Sequence, residues 1–355
     1  MVSVFLGIAV LLLVYKAFTF KLQLPRHKKQ TLLLLLLAGL LFLLIPDVIT
    51  GEAPVFVRYP GTWVGVLGIM VTFYITVTGI SILFPGHRAN IVFGGLGLFI
   101  VLSAYAVFNG LGLPRVNDVK IPMPKLPQTL SGFTIVHLSD LHLGSIATPE
   151  WMEQTVRKVN RLHPDLIVIT GDLVEGLKPV EDWAPFIPLL KGLKAKYGTM
   201  AVPGNHDLVR GWRNFSKFAS QSNLRILTNE AVTVAGGIQL VGINDPRGVS
   251  CPIGGPDLSK AFKTVNPSLP VILLSHRPNY FNMAQSYGVD LQLSGHTHAG
   301  QIPPLNLVIP FVYSYANGLY HRGKAYIYTS PGSSVMGVPM RVFSGNEIVR
   351  VQLVR

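Results

Sequence analysis

The sequence predicts an α/β domain preceded by a bundle of about four apolar transmembrane helices. Three observations point there. Charged residues make up 13% of the 355-residue chain, about half the usual share in soluble proteins, and only nine of the 47 lie in residues 1–114. From Phe133 onward, short β-branched runs alternate with helical stretches. Polar clusters of Asp, His and Asn follow the ends of five of those runs.

The apolar runs come first in the chain. Thr31–Ile49 holds six consecutive leucines, and Thr62–Phe84 and Asn90–Leu113 hold no charge. Each is long enough to cross about 30 Å of hydrocarbon. Met1–Phe20 is interrupted by Lys16, which is able to snorkel to the interface. A signal peptide is the other reading of that run, and the absence of a small-residue cleavage site weighs against it. Helices are therefore expected over about 1–20, 31–49, 62–84 and 90–113, in an anchor of residues 1–113. Gly94, Gly95 and Gly97 suit close helix packing, not a phosphate loop, because no Lys-Ser/Thr follows.

Loop charge sets the orientation. Lys21, Arg26, Lys28 and Lys29 crowd one loop, the next carries Asp47, Glu52 and Arg58, and the third carries Arg88. The first and third are therefore expected in the cytoplasm. The C-terminal domain then lies on the extracytoplasmic side of a multi-pass cell-membrane protein, although Arg115, Lys120 and Lys125 pull the other way. Pro114, Pro122, Pro124 and Pro127 read as an extended linker over 114–128, leaving 129–355 as the soluble domain.

Within that domain, buried strands are expected at Phe133–Leu138, Leu166–Thr170, Thr199–Val202, Val271–Leu274 and Val289–Leu293, with a helix at Pro149–Leu162. Further strands are expected at Ala231–Ala235, Ile238–Ile243, Ala325–Thr329 and Ile348–Leu353. The clusters at the strand ends are Asp140-Leu141-His142, Gly171-Asp172-Leu173-Val174-Glu175-Gly176, Gly204-Asn205-His206-Asp207, Ser275-His276 and Gly295-His296-Thr297-His298. Strand ends are where sites form in open α/β sheets. Any one of these histidines alone reads as an ordinary surface or core residue; five clusters after five strands do not. Asp140, His142, Asp172, Asn205, His276, His296 and His298 supply seven N and O donors, more than one ion needs and suited to two ions sharing a carboxylate. The absence of thiolate favours manganese, iron or zinc over a soft metal, with manganese first and magnesium also admitted. The single Cys251 excludes a disulfide framework.

This ordered set resembles the signature of the calcineurin-like metallophosphoesterases, and the flanking Asp-Leu-His-Leu-Gly and Gly-His-Thr-His-Ala-Gly-Gln are similar to its membrane-anchored bacterial subgroup. The resemblance implies a four-layer αββα sandwich of two mixed sheets. It implies that Asp140, His142 and His298 hold one metal, that Asn205, His276 and His296 hold the other, and that Asp172 bridges them. It implies in-line attack on phosphorus by a hydroxide bridging the two metals. Asn205 and His206 would stabilise the phosphoryl oxygens, and His206 would protonate the leaving group. Asp207 would orient His206, or else cap a helix.

The segment Ile302–Tyr320 is unusually apolar and reads as a buried β-hairpin, with contact to lipid as the alternative. The expected substrate is a phosphodiester, phosphomonoester or pyrophosphate, lipid-linked if that segment meets the bilayer. The formal net charge of +13 suits such a phosphate-bearing partner. Nucleic acid is disfavoured, since no basic stripe interleaves with aromatics. UDP-2,3-diacylglucosamine diphosphatase activity is an alternative within the subgroup. A transport or signalling protein with a regulatory domain of this kind is a more remote one, because the helices lack intramembrane charges.

Overall fold

The computed structural model describes residues 61–177 and 179–355. The helices expected over 1–20 and 31–49, and the basic loop between them, lie outside the described residues. The protein divides into two compact units.

In the first unit, α1 (Gly61–Leu83) and α2 (Arg88–Leu111) flank Pro85, which interrupts the helical run. Both are long and apolar enough to cross a membrane. They leave Val64, Ile75, Ile82, Leu98, Val101 and Phe108 exposed, an apolar surface that water does not favour. Trp63, Val66 and Ile69 of α1 and Ala106 of α2 form a core with Ile302, Met340 and Val342. Residues 301–307 and 337–343 thus belong to this unit, although the sequence reading assigned them to the C-terminal domain. Backbone bonds hold them as well: the Arg341 N–H donates to the Ala106 carbonyl at 2.8 Å, and the Asn109 amide to the Arg341 carbonyl at 3.1 Å.

The second unit carries two six-stranded mixed sheets. The first orders β1 (Arg115–Pro122), β12 (Glu347–Val354), β2 (Thr134–Leu138), β3 (Leu166–Ile169), β4 (Thr199–Ala201) and β5 (Leu224–Ile226). The second orders β10 (Gly318–Arg322), β11 (Ala325–Thr329), β9 (Leu291–Ser294), β8 (Val271–Leu274), β7 (Ile238–Gly242) and β6 (Glu230–Val234). Alternation decides the layers. On β2, Ile135 faces the core shared by the two sheets, while Val136 and Leu138 face α3 (Pro149–Asn160) and α4 (Trp212–Gln221). On β8, Ile272 and Leu274 face the shared core, and Val271 and Leu273 pack outward with Leu258, Ala261 and Ala284. Helices thus cover both outer faces, as the αββα expectation required.

Two expectations are corrected. The supposed linker contains β1, which pairs in parallel with β12 from Arg115 to Pro122. The prolines permit this because β1 is an edge strand, with Pro114 before it and Pro122 its last residue. The supposed buried hairpin begins instead as α5 (Leu305–Val312), where Pro304 precedes the first turn and needs no helical N–H. Leu305, Leu307, Val308, Phe311 and Val312 are all exposed.

Candidate metal centre

The site is built on the C-terminal ends of β2, β3, β4, β8 and β9. Asp140 and His142 follow β2, Asp172 follows β3, Asn205 to Asp207 follow β4, His276 follows β8, and His296 and His298 follow β9. One donor atom from each of Asp140, His142 and His298 lies within 4.8 Å of the others, and the same holds for Asp172, His276 and His296. In the first group, His142 Nε2 faces His298 Nε2 at 3.2 Å and His298 Nε2 lies 3.5 Å from Asp140 Oδ1. In the second, His276 Nε2 lies 3.1 Å from both His296 Nδ1 and Asn205 Oδ1. Asp172 Oδ2 stands between the groups, 3.3 Å from His276 Nε2 and 3.8 Å from His142 Nε2. All seven sequence-derived donors therefore converge.

Local backbone geometry makes the convergence possible. Asp140, His142, Asp172, His296 and His298 all have positive φ, between 45° and 72°. Left-handed conformation costs about 1–2 kcal/mol for an L-residue, least where a short polar side chain bonds locally. Five such residues forgo several kcal/mol, comparable with a domain's net stability of about 5–15 kcal/mol. Such turns persist where neighbouring bonds over-determine them. The Asp140 carboxylate accepts the Ser139 hydroxyl at 2.5 Å and the His296 N–H at 3.0 Å, and Asp172 Oδ1 accepts the His206 N–H at 2.8 Å. Gly171 (φ +87°) is required as glycine, since a Cβ there would lie 2.7 Å from His276 Nδ1 and from the Gly204 backbone.

Electrostatics mark the cluster as a cation site. Burial disfavours charge on His276, yet Asp172, with Asp140 and Asp245 beyond it, pushes its pKa up to about 10. Burial also opposes ionisation of Asp172, but the charged His276 holds its carboxyl well below the usual range. His276 Nδ1 meets the Thr170 carbonyl at 2.8 Å, which places a proton on that nitrogen and aims Nε2 at the cluster. Facing ring nitrogens at 3.1–3.2 Å, carboxylates and a carboxamide oxygen, with no thiolate, fit borderline divalent ions.

One expected partner is corrected. Asp207 does not orient His206: its buried carboxylate accepts the Val174 N–H at 3.0 Å and the Gly204 N–H at 2.8 Å, tying two site loops together. Burial, with Asp172 nearby, raises its pKa to about 7. The partner of His206 is Glu175, whose Oε1 lies 2.8 Å from His206 Nδ1 while Oε2 lies 3.2 Å from His142 Nδ1. Burial opposes charge on His206, but the Glu175 hydrogen bond and the Asp172 charge raise its pKa. Glu175 lies in the sequence cluster that begins at Gly171, but three residues after Asp172 in an irregular loop nothing in the spacing gives it a role. Sequence reasoning missed Arg277, Asp245 and Tyr313, whose hydroxyl lies 3.1 Å from His296 Nε2.

Comparison with known proteins identifies the family. Residues 133–300 match the family model described as calcineurin-like phosphoesterase. An uncharacterized metallophosphoesterase of Helicobacter pylori is 37% identical over 263 residues, covering 73% of this chain and 70% of the relative. An uncharacterized metallophosphoesterase of Bacillus subtilis is 32% identical over 71% of this chain and 93% of the relative. A Danio rerio transmembrane protein with metallophosphoesterase domain is 34% identical over 71% of this chain and 60% of its own length.

Proposed function

This chain belongs to the calcineurin-like metallophosphoesterases and is a metal-dependent hydrolase of phosphoric esters; from that membership we propose a membrane-anchored enzyme that cleaves its phosphoester or pyrophosphate bond by in-line attack of water at a two-metal centre. The observation that carries the reading is the place of Asp172 Oδ2, within reach of both donor groups. Asp140, His142 and His298 would hold one ion, Asn205, His276 and His296 the other, and Asp172 both, with manganese the proposed metal. Two bound divalent ions supply Lewis-acid stabilisation of phosphoryl oxygens and lower the pKa of water. His206 supplies the proton. Its Nδ1 is engaged by Glu175, so the proton it can give away is the one on Nε2, delivered to the departing oxygen. The test is hydrolysis of bis(p-nitrophenyl) phosphate by the full chain: activity should vanish on chelation and return with manganese. An enzyme indifferent to chelation would sink the proposal.

A specific observation favours a lipid-linked substrate within this reading. Phe311 is 90% exposed and Val312 63%, and the next residue, Tyr313, touches His296. An apolar strip that ends beside a proposed metal ligand suits a phosphate attached to a hydrocarbon tail.

A further inference from the structure

Among the described residues, the centre holds a cation that the proposed chemistry does not use. Arg277 follows His276 directly, and the loop after β7 brings Asp245 beneath it. The guanidinium Nε donates to Asp245 Oδ2 at 2.7 Å. Asp245 is buried, and its Oδ1 accepts the Arg247 N–H at 2.9 Å, so this carboxylate is fixed before it meets Arg277. The near end of the guanidinium is thereby anchored. The side chain is not sealed from solvent, being 27% exposed.

The acceptors at the far end of the guanidinium are what give Arg277 a role. Among the described residues, NH1 meets His296 Nε2 at 3.0 Å and NH2 meets Asn205 Oδ1 at a long 3.4 Å. Both belong to residues assigned above as metal ligands. His296 turns Nδ1 into the donor cluster, so ligation through Nδ1 leaves the ring proton on Nε2. An Nε2–H cannot accept from a guanidinium, whereas the Tyr313 hydroxyl at 3.1 Å can accept from it. Asn205 Oδ1 would keep one lone pair on ligation, but its contact with NH2 is already long at 3.4 Å. With His296 ligating through Nδ1, NH1 would lose its acceptor and NH2 would keep only the long contact to Asn205, while Asp245 holds the group in place. Arginine stays charged at any working pH, and its planar fork matches two oxygens of a tetrahedral oxyanion.

We propose that Arg277, positioned by Asp245, is the non-metal clamp of the site, binding phosphoryl oxygens of substrate and product. The proposal rests on the phosphoesterase reading above. Its test is binding of inorganic phosphate to the manganese-loaded full chain in detergent, by calorimetry, alongside metal content by mass spectrometry. Truncating Arg277 alone would strand the buried Asp245 carboxylate, so the variants are Arg277→Lys and the double variant Asp245→Asn/Arg277→Gln. The double variant should keep both metals and bind phosphate roughly tenfold or more weakly, the weight of a charge-assisted pair. Arg277→Lys, which keeps the charge and loses the fork, should fall between it and the unmodified protein. Unchanged phosphate affinity in the double variant overturns the clamp, and so does loss of metal, which would make Arg277 a support of the ligands. An unmodified protein that neither binds phosphate nor hydrolyses bis(p-nitrophenyl) phosphate overturns the phosphoesterase reading itself.

Discussion

Glu175 links two rings with different tasks. Its two oxygens face His142, an assigned metal ligand, and His206, the assigned acid. A carboxylate behind a ligating imidazole fixes its orientation and basicity, and its loss typically costs about 10–100-fold in metal affinity or activity. His206→Ala should instead keep the metals and lose on the order of 10²–10⁴-fold in turnover on poor leaving groups, the usual share of general acid catalysis. Loss of metal in that variant would disprove the assignment. The pH dependence separates the two further. Glu175 raises the His206 pKa, so the acid stays protonated to higher pH and activity falls as pH rises through that value. Glu175→Gln lowers the pKa, and the alkaline limb of the rate profile should move to lower pH. A limb that stays in place would show that Glu175 does not tune His206. Residue type and spacing pointed to Asp207 for this task because it is adjacent to His206. Adjacency misled: a short side chain beside two unpaired backbone N–H groups is drawn to them, and the acid is served from another loop.

At the scale of elements, the strands that carry the site were legible because β-branched runs ending in polar or glycine residues leave little choice of period. β2, β3, β4, β8 and β9 all lie within about two residues of expectation. β1 was not, since its prolines read as a linker and only pairing with β12, more than 200 residues away, makes it a strand. The left-handed turns under Asp140, His142, Asp172, His296 and His298 were invisible too, because they arise from tertiary bonds and not from local propensity. α5 was misread for the opposite reason. An apolar run is expected to be buried, and this one is exposed. If it receives a hydrocarbon tail, Phe311→Ser should slow turnover of a long-chain lipid phosphoester several-fold while leaving bis(p-nitrophenyl) phosphate hydrolysis unchanged. Equal turnover of the lipid by both proteins would remove the lipid reading.

The whole chain joins apolar helices, poor in charge, to a domain that holds 38 of its 47 charged residues. The formal +13 follows from 30 basic and 17 acidic residues, and metals on Asp140 and Asp172 would make the charge more positive, a balance that suits a phosphate-bearing substrate. The loop charges of the sequence carry the expectation of a domain outside the cytoplasm, which a fusion tests. A C-terminal fusion to a reporter active only outside the cytoplasm should then be active, and activity only from a cytoplasmic reporter would reverse the orientation. The central claim is one dinuclear centre hinged on Asp172, and its most direct measurement is the metal content of purified Asp172→Ala beside that of the unmodified chain. Two ions per unmodified chain are expected, and loss of both from the variant. Two tightly held ions in Asp172→Ala would contradict the claim.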